Sequence, residues 1–307
     1  MRYRLWLRVL QIAGTFLLAG VLLTRIEWNE IAVLAADFQW AWLIFGCLLV
    51  GVSHLVNVGR WRYLLQFPAV SRLRLVTCYG AGLFSNSFLP TGVGGDAVRA
   101  TMLSRDTGWT RAILSVGLDR SIGLMSFSVL FVIGIWLGVP PGGSINALFS
   151  GLRTALTVIP IGLTLAALVF VLMWQVWAGL RWYMLTLRAR VSDYGQGWTF
   201  RRWALIGGGA YLLAVLSSLL LVVVQYAMFE ALNLVVPFSA AVWGMFFGSL
   251  SLLLPIALNG LGVMESVYVL VLGSYGLSAT TALAAALLIR AMMLFYSLLG
   301  GLLTLHV

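Results

Sequence analysis

Six charged residues stand in stretches that are otherwise strongly apolar: Asp96, Arg99, Asp119, Arg120, Glu265 and Arg290. A charge at the centre of a bilayer costs at least about 2.5–3.5 kcal/mol on insertion scales, so each must face a partner or a wet cavity. Asp96 closes the run "LPTGVGGD", and Glu265 closes "LPIALNGLGVME". Each acid follows a glycine-rich break and opens a helix, where a carboxylate caps exposed amides and meets the positive end of the helix dipole. On one reading the acids are caps and the arginines are their ion-pair partners. On the other, the same groups bind an anion. A helix N-terminus with free amides beside an arginine is an anion site, and the planar guanidinium fork suits phosphate. The carboxylates would then be counter-charges that let the phosphate leave, or carriers of an exchanging proton. Both readings stay open on these residues.

Composition narrows the chemistry. Of 307 residues, 62% are hydrophobic and 9% charged, with a mean hydropathy of +1.02. A soluble domain carries roughly a quarter charged residues, so this is an integral membrane protein. Its apolar runs are continuous over helical lengths, not alternating as in membrane strands. The formal net charge is +10, and every basic residue is arginine. Without lysine there is no Walker A loop and no Schiff-base amine. His54 and His306 are the only histidines, and Cys47 and Cys78 the only cysteines. No metal site, disulfide scaffold or cofactor is expected. The basic excess is assigned to loops beside anionic lipid and not to nucleic-acid binding.

These residues must be positioned by membrane segments. Full spans are expected at Val9–Thr24, Trp40–Val58, Arg111–Gly138, Thr154–Trp177, Trp203–Leu232 and Ser278–Leu305. The first is read as a retained span, because no small-residue cleavage pattern follows it. Leu75–Leu103 and Ser239–Tyr275 are each broken near the middle, at Pro90 and Pro255, and are expected to be re-entrant pairs of half-helices. Basic loops (Arg60 to Arg74, Arg181 to Arg202) then alternate with neutral or acidic ones, which puts both termini in the cytoplasm. The fold class expected is an all-α polytopic membrane protein forming one transmembrane domain over residues 1–307. It has six full spans, two re-entrant pairs and about eight membrane segments.

The broken segments resemble each other. A proline, then glycines, then an acid occurs in both, and each is followed by a span with a central arginine. Three full spans separate them, so they would have opposite orientation. Inverted units of about 40–138 and 203–305 follow, the layout of transporters whose sites lie at broken helices near the midplane. The expected headgroup site is Asn86, Gly94, Gly95, Asp96, Arg99, Asp119 and Arg120 from the first unit. Asn259, Gly260, Gly262, Glu265 and Arg290 complete it from the second. Gly94 and Gly95 are expected to leave the space a headgroup needs.

"NSFLPTGVGGDAVRA" with "LDRSIGL", and "LPIALNGLGVMES" with "LLIR", resemble the lysylphosphatidylglycerol synthase transmembrane family, also called UPF0104. The likeness covers roughly residues 9–305. It implies a multi-pass protein of a bacterial or archaeal plasma membrane that moves or handles a lipid with a charged headgroup. The chain ends at "LLTLHV" without a soluble aminoacyl-transfer domain, so lipid aminoacylation is not expected of it. The leading expectation is a flippase-like transporter, not an enzyme. Its lipid would be an aminoacylated phospholipid, a polyprenyl-phosphate-linked lipid or a terpenoid lipid. The alternatives are a non-catalytic partner of a lipid-glycan glycosyltransferase or other lipid-modifying enzyme, and a membrane enzyme with Asp96 or Glu265 as general base.

Overall fold

The computed structural model describes residues 27–66, 70–88, 94–138, 200–251 and 260–306. The regular elements among them are all helical: α1 (Trp28–Ala36), α2 (Trp40–Leu65), α3 (Arg72–Phe88), α4 (Gly94–Thr107), α5 (Trp109–Met125), α6 (Phe127–Leu137), α7 (Phe200–Ala231), α8 (Phe238–Ser251), α9 (Val263–Ser274) and α10 (Ala279–Leu302). Four runs are long and apolar enough to cross a membrane: Trp40–Leu65, Trp109–Leu137, Leu205–Ala231 and Ala279–Leu302. They correspond to the second, third, fifth and sixth expected spans. The first and fourth lie outside the described residues, as do both break prolines. The chain of α5 runs on into α6 through Ser126, whose own backbone is helical. Each of the two broken segments is a pair of shorter helices, α3 with α4 and α8 with α9.

One boundary differs in a way that matters. The second span was expected to end at Val58, with Arg60 and Arg62 in a loop. Instead α2 continues to Leu65 and stops at Gln66, whose φ of 49° is left-handed. Arg60 is buried. Hydropathy cannot see this, because the charge is neutralised by a partner far away in sequence.

Helix α2 shows why the helices sit as they do. Trp40, Ile44, Leu48, Val52 and Leu55 form an exposed apolar stripe at spacings of three and four, the face that meets hydrocarbon. Gly46, Val50, Ser53, Arg60, Trp61 and Leu64 lie on the buried face. Small residues let neighbouring backbones approach, which drives packing where apolar burial from water cannot. Along α2 and α7, Gly46 meets Met228, the Ser53 and Ser217 hydroxyls are 2.9 Å apart, and Tyr63 covers Gly209. The partner numbers fall as the α2 numbers rise, so the two helices are antiparallel.

The order long helix, short pair, long helix occurs twice, as α2 to α6 and as α7 to α10. Each first short helix packs on the closing long helix of the other set. On α3 and α10, Gly80 and Gly300 meet backbone to backbone: a Cβ on Gly80 would come within 2.9 Å of the Gly300 backbone. Ser297 of α10 donates to the Leu83 carbonyl at 3.2 Å. On α8 and α6, the Trp243 ring covers Gly134, and its Nε1 donates to the Gly138 carbonyl at 2.8 Å. The main apolar core lies between the two sets, around Val50, Val222, Met228, Phe229, Tyr268 and Ile289. Helix α1 closes one end, where the Glu27 N–H donates to Thr280 Oγ1 at 3.0 Å and Glu30 accepts from Ser278 and Thr281.

Candidate functional site

The buried and half-buried charges fall into two groups. In the first set of helices five residues form a chain. Arg60 Nε donates to Asp119 Oδ1 at 2.8 Å, and Arg99 Nη2 donates to Asp119 Oδ2 at 3.1 Å. Arg99 Nη1 reaches Asp96 Oδ1 at 3.5 Å, and Arg120 Nη1 donates to Asp96 Oδ2. Arg99 sits against two aromatic rings: its guanidinium carbon lies 4.1 Å from the Trp61 ring centroid and 5.1 Å from that of Tyr79. Trp61 is fixed in turn by its Nε1 bond to Ser115 Oγ at 3.2 Å. Three arginines against two aspartates leave one formal positive charge in excess.

In the second set the arrangement is closed. Glu265 stands in the first turn of α9, and its Oε2 accepts from the Gly262 N–H at 2.8 Å. The same carboxylate takes Arg290 through both Nε and Nη2, the latter at 3.2 Å. A further bond runs from Arg290 Nη2 to the Gly260 carbonyl at 3.1 Å. Gly260 and Gly262 have φ of 66° and 82°, a region that glycine enters without a Cβ penalty. One acid here is both helix cap and ion-pair partner.

A cavity of about 360 Å³ joins the two sets, within the size range of small-ligand sites. His54, Asn86 and Arg120 line it from the first set, and Gln225, Tyr268 and Arg290 from the second. Much of the remaining wall is apolar, with Met245, Met264, Met292 and Met293 among it. Methionine is unbranched and adapts to irregular apolar partners.

Of the expected site residues, Asn86, Arg120 and Arg290 reach this cavity. Asp96, Arg99, Asp119 and Glu265 do not line it: Asp96 pairs with Arg120 and Glu265 with Arg290, while Arg99 and Asp119 continue the first chain away from the cavity lining. Gly95 has a different role from the one expected. A Cβ there would meet the Asn86 side chain at 2.5 Å and the Gly82 carbonyl closer still, so this glycine lets α4 approach α3. Its N–H donates to Asn86 Oδ1 at 2.8 Å, so the amide at the start of α4 is satisfied by Asn86 while Asp96 turns to the arginines. Gly94 opens α4. Asn259, Pro90 and Pro255 lie outside the described residues.

Sequence reasoning missed Arg60, Trp61, His54, Tyr79, Gln225 and Tyr268. His54 Nδ1 lies 3.2 Å from the Tyr79 hydroxyl. A signal existed for two of them: Arg60 and Trp61 continue the Ser53 face of α2 at helical spacing. No group of His, Cys, Asp and Glu able to hold a metal occurs among the described residues.

Spans of this kind, packed through small residues around paired buried charges, define a multi-pass helical membrane protein. The chain belongs to the family described as the lysylphosphatidylglycerol synthase TM region, whose model matches residues 6–300. No curated protein and no solved structure was found to match it.

Proposed function

We propose that this chain is a flippase-like transporter that binds the phosphate-bearing headgroup of a lipid in the central cavity. The observation that carries the reading is one cavity reached by an arginine from each set of helices, Arg120 and Arg290. Arginine at a cavity inside an apolar membrane protein is what a phosphate entering the bilayer needs. The methionine wall suits the chains attached to it.

The two sets are read as inverted units. Their first helices, α2 and α7, run antiparallel, and the short helices α3 and α8 each cross onto the other unit's closing helix. Equivalent ion pairs, Asp96–Arg120 and Glu265–Arg290, follow in each. Inverted units exchange conformations in alternating access around a midplane site. The membrane is taken to be a bacterial or archaeal plasma membrane, with both termini cytoplasmic.

The test is reconstitution of the full chain into liposomes holding a fluorescent phospholipid, with a membrane-impermeant quencher added outside. Transport should expose the inner-leaflet label to the quencher, and Arg120→Gln should remove that exposure while the protein still inserts. Equal quenching with and without protein, across phospholipids and polyprenyl-phosphate lipids, would overturn the reading.

A further inference from the structure

One face of α2 leads from the cavity into the buried charges. Val50 and His54, one helical turn apart, both line the cavity. The Nδ1 atom of His54 lies 3.2 Å from the Tyr79 hydroxyl, and its ring meets that of Tyr296 at a centroid distance of 5.2 Å. Tyr79 packs in turn on the Arg99 guanidinium, Arg99 reaches Asp96, and Asp96 holds Arg120 at the cavity. The path of contacts leaves the cavity at His54 and returns to it at Arg120.

Histidine is the side chain whose charge ordinarily changes between about pH 5 and 8, and phosphate binding by arginine leaves this one unused. Asp96, Asp119 and Glu265 are each engaged by arginine, whereas no carboxylate among the described residues lies within ion-pair distance of His54. The titratable groups against it are two phenols, Tyr79 of α3 and Tyr296 of α10. Arg120, Arg290 and Tyr268 share the cavity wall, and α7 and α8 bring no titratable group to it. The first chain already carries one positive charge in excess, and the Glu265–Arg290 pair is balanced. An imidazolium in the empty cavity would add a like charge in a medium that screens poorly. A bound phosphate cancels the excess and favours a cation beside it. The Tyr79 hydroxyl suits both states, since it can donate to Nδ1 of the neutral ring or accept from Nδ1–H of the charged one.

Resting on the phosphate reading above, we propose that His54 is the proton-binding residue of this cavity: uncharged while the cavity is empty, it takes up one proton from water as the phosphate binds. Anion and proton then occupy the cavity together, and the proton returns to water when the phosphate leaves. Because the complex holds one proton more than the empty protein, affinity rises as pH falls, by at most about tenfold per pH unit.

The test uses the full chain in detergent and dioctanoyl phosphatidylglycerol, whose phosphodiester does not titrate between pH 5.5 and 8. Titration calorimetry in two buffers of different ionisation enthalpy gives the number of protons taken up per lipid bound. Wild type should take up a proton at the acid end of that range and progressively less toward pH 8, with affinity several-fold tighter at pH 6 than at pH 8. His54→Gln should bind with no proton uptake and with an affinity independent of pH. Tyr79→Phe keeps the imidazole and removes the acceptor for its Nδ1–H, so it should move the uptake to lower pH; this variant keeps the test alive if His54→Gln misfolds. Binding by wild type without proton uptake, uptake in His54→Gln equal to wild type, or an unshifted profile in Tyr79→Phe overturns His54 as the proton site while phosphate binding stands. No binding at any pH overturns the phosphate reading and the proton site with it.

Discussion

Arg120 and Arg290 line the same cavity, yet the side chain of Arg120 is 34% exposed and that of Arg290 only 6%. Arg290 is held by a carboxylate and a backbone carbonyl, whereas Asp96 divides itself between Arg120 and Arg99. On the proposed reading, Arg120 is the arginine that an incoming phosphate would reach first. On the proposed reading of two inverted units, the difference corresponds to one station open and the other closed.

Arg120→Gln should therefore weaken binding of a short-chain phospholipid about 10–100-fold, the range expected for a lost charge-assisted bond of 1.5–3 kcal/mol. Arg120→Lys should fall between, since it keeps the charge and loses the fork. The folded state should persist, because Arg99 still engages Asp96 and Asp119. Calorimetry checks the affinity, and a monodisperse elution profile checks the fold. Wild-type affinity in Arg120→Gln would place the phosphate elsewhere.

The α3–α10 contact tolerates no side chain. A Cβ at Gly300 would come within 2.6 Å of the Gly80 carbonyl oxygen, and the Gly80 atoms it would meet are backbone atoms that cannot rotate away. Gly300→Val should cost stability of at least about 1–3 kcal/mol, as for other overpacked sites. Gly207→Ala, at a glycine with open space around it, is the control and should be near neutral. Thermal unfolding in detergent would separate the two, and equal midpoints would contradict the close contact.

Sidedness can be read by labelling. Asp37 and Asn233 meet across α2 and α7, where the Asn233 amide donates to the Asp37 carbonyl, and the arginine pattern puts both outside. Arg105, near the end of α4, should then be inside. In a background lacking Cys47 and Cys78, a membrane-impermeant maleimide should label Asp37→Cys from outside and Arg105→Cys only after permeabilisation. Labelling of both from outside would reverse that map.

Acid should loosen α1. Bonds from Ser278, and then Thr281, hold the Glu30 carboxylate below its ordinary value of 4.5. A depressed carboxylate pKa adds stability that is full above the unfolded value and is lost as pH falls through the folded one. Protease cleavage near α1 should therefore rise only below about pH 4.5, and Glu30→Gln should show the raised cleavage at neutral pH. Cleavage of wild type independent of pH would remove this anchor from the account.

The sequence carried the membrane class, four of the described spans and both breaks, because apolar length and glycine-proline runs are local signals. It also carried the Asp96–Arg120 and Glu265–Arg290 pairs, through matched spacing. Arg60 was hidden because its neutralising partner, Asp119, lies on another helix and hydropathy treats the two apart. Gln225 and Tyr268 were hidden for a related reason. Each is an ordinary residue in an apolar helix, and only the meeting of α7 with α9 makes them a polar wall. Gly95 was read as room for a headgroup, when the close approach of Gly82 is what requires it; no local pattern separates these two uses of glycine.

The Glu265–Arg290 pair decides between cap and site, the two readings of the buried charges. As a purely structural element it could be exchanged for apolar residues of similar size at little cost, since desolvation offsets most of the attraction between buried ions. Arg290→Leu alone should lose about 3–5 kcal/mol, because Glu265 is left charged and unpaired in the core. The double change Arg290→Leu, Glu265→Leu should recover much of that stability, less the cap on Gly262 that Glu265 provides. Transport should not recover with it, because the closed station would have no guanidinium to offer when the units exchange. Unfolding midpoints and quencher-based transport, measured on the same three proteins, give the answer. A double variant that is stable and fully active would leave Arg290 a structural residue and restrict headgroup binding to Arg120.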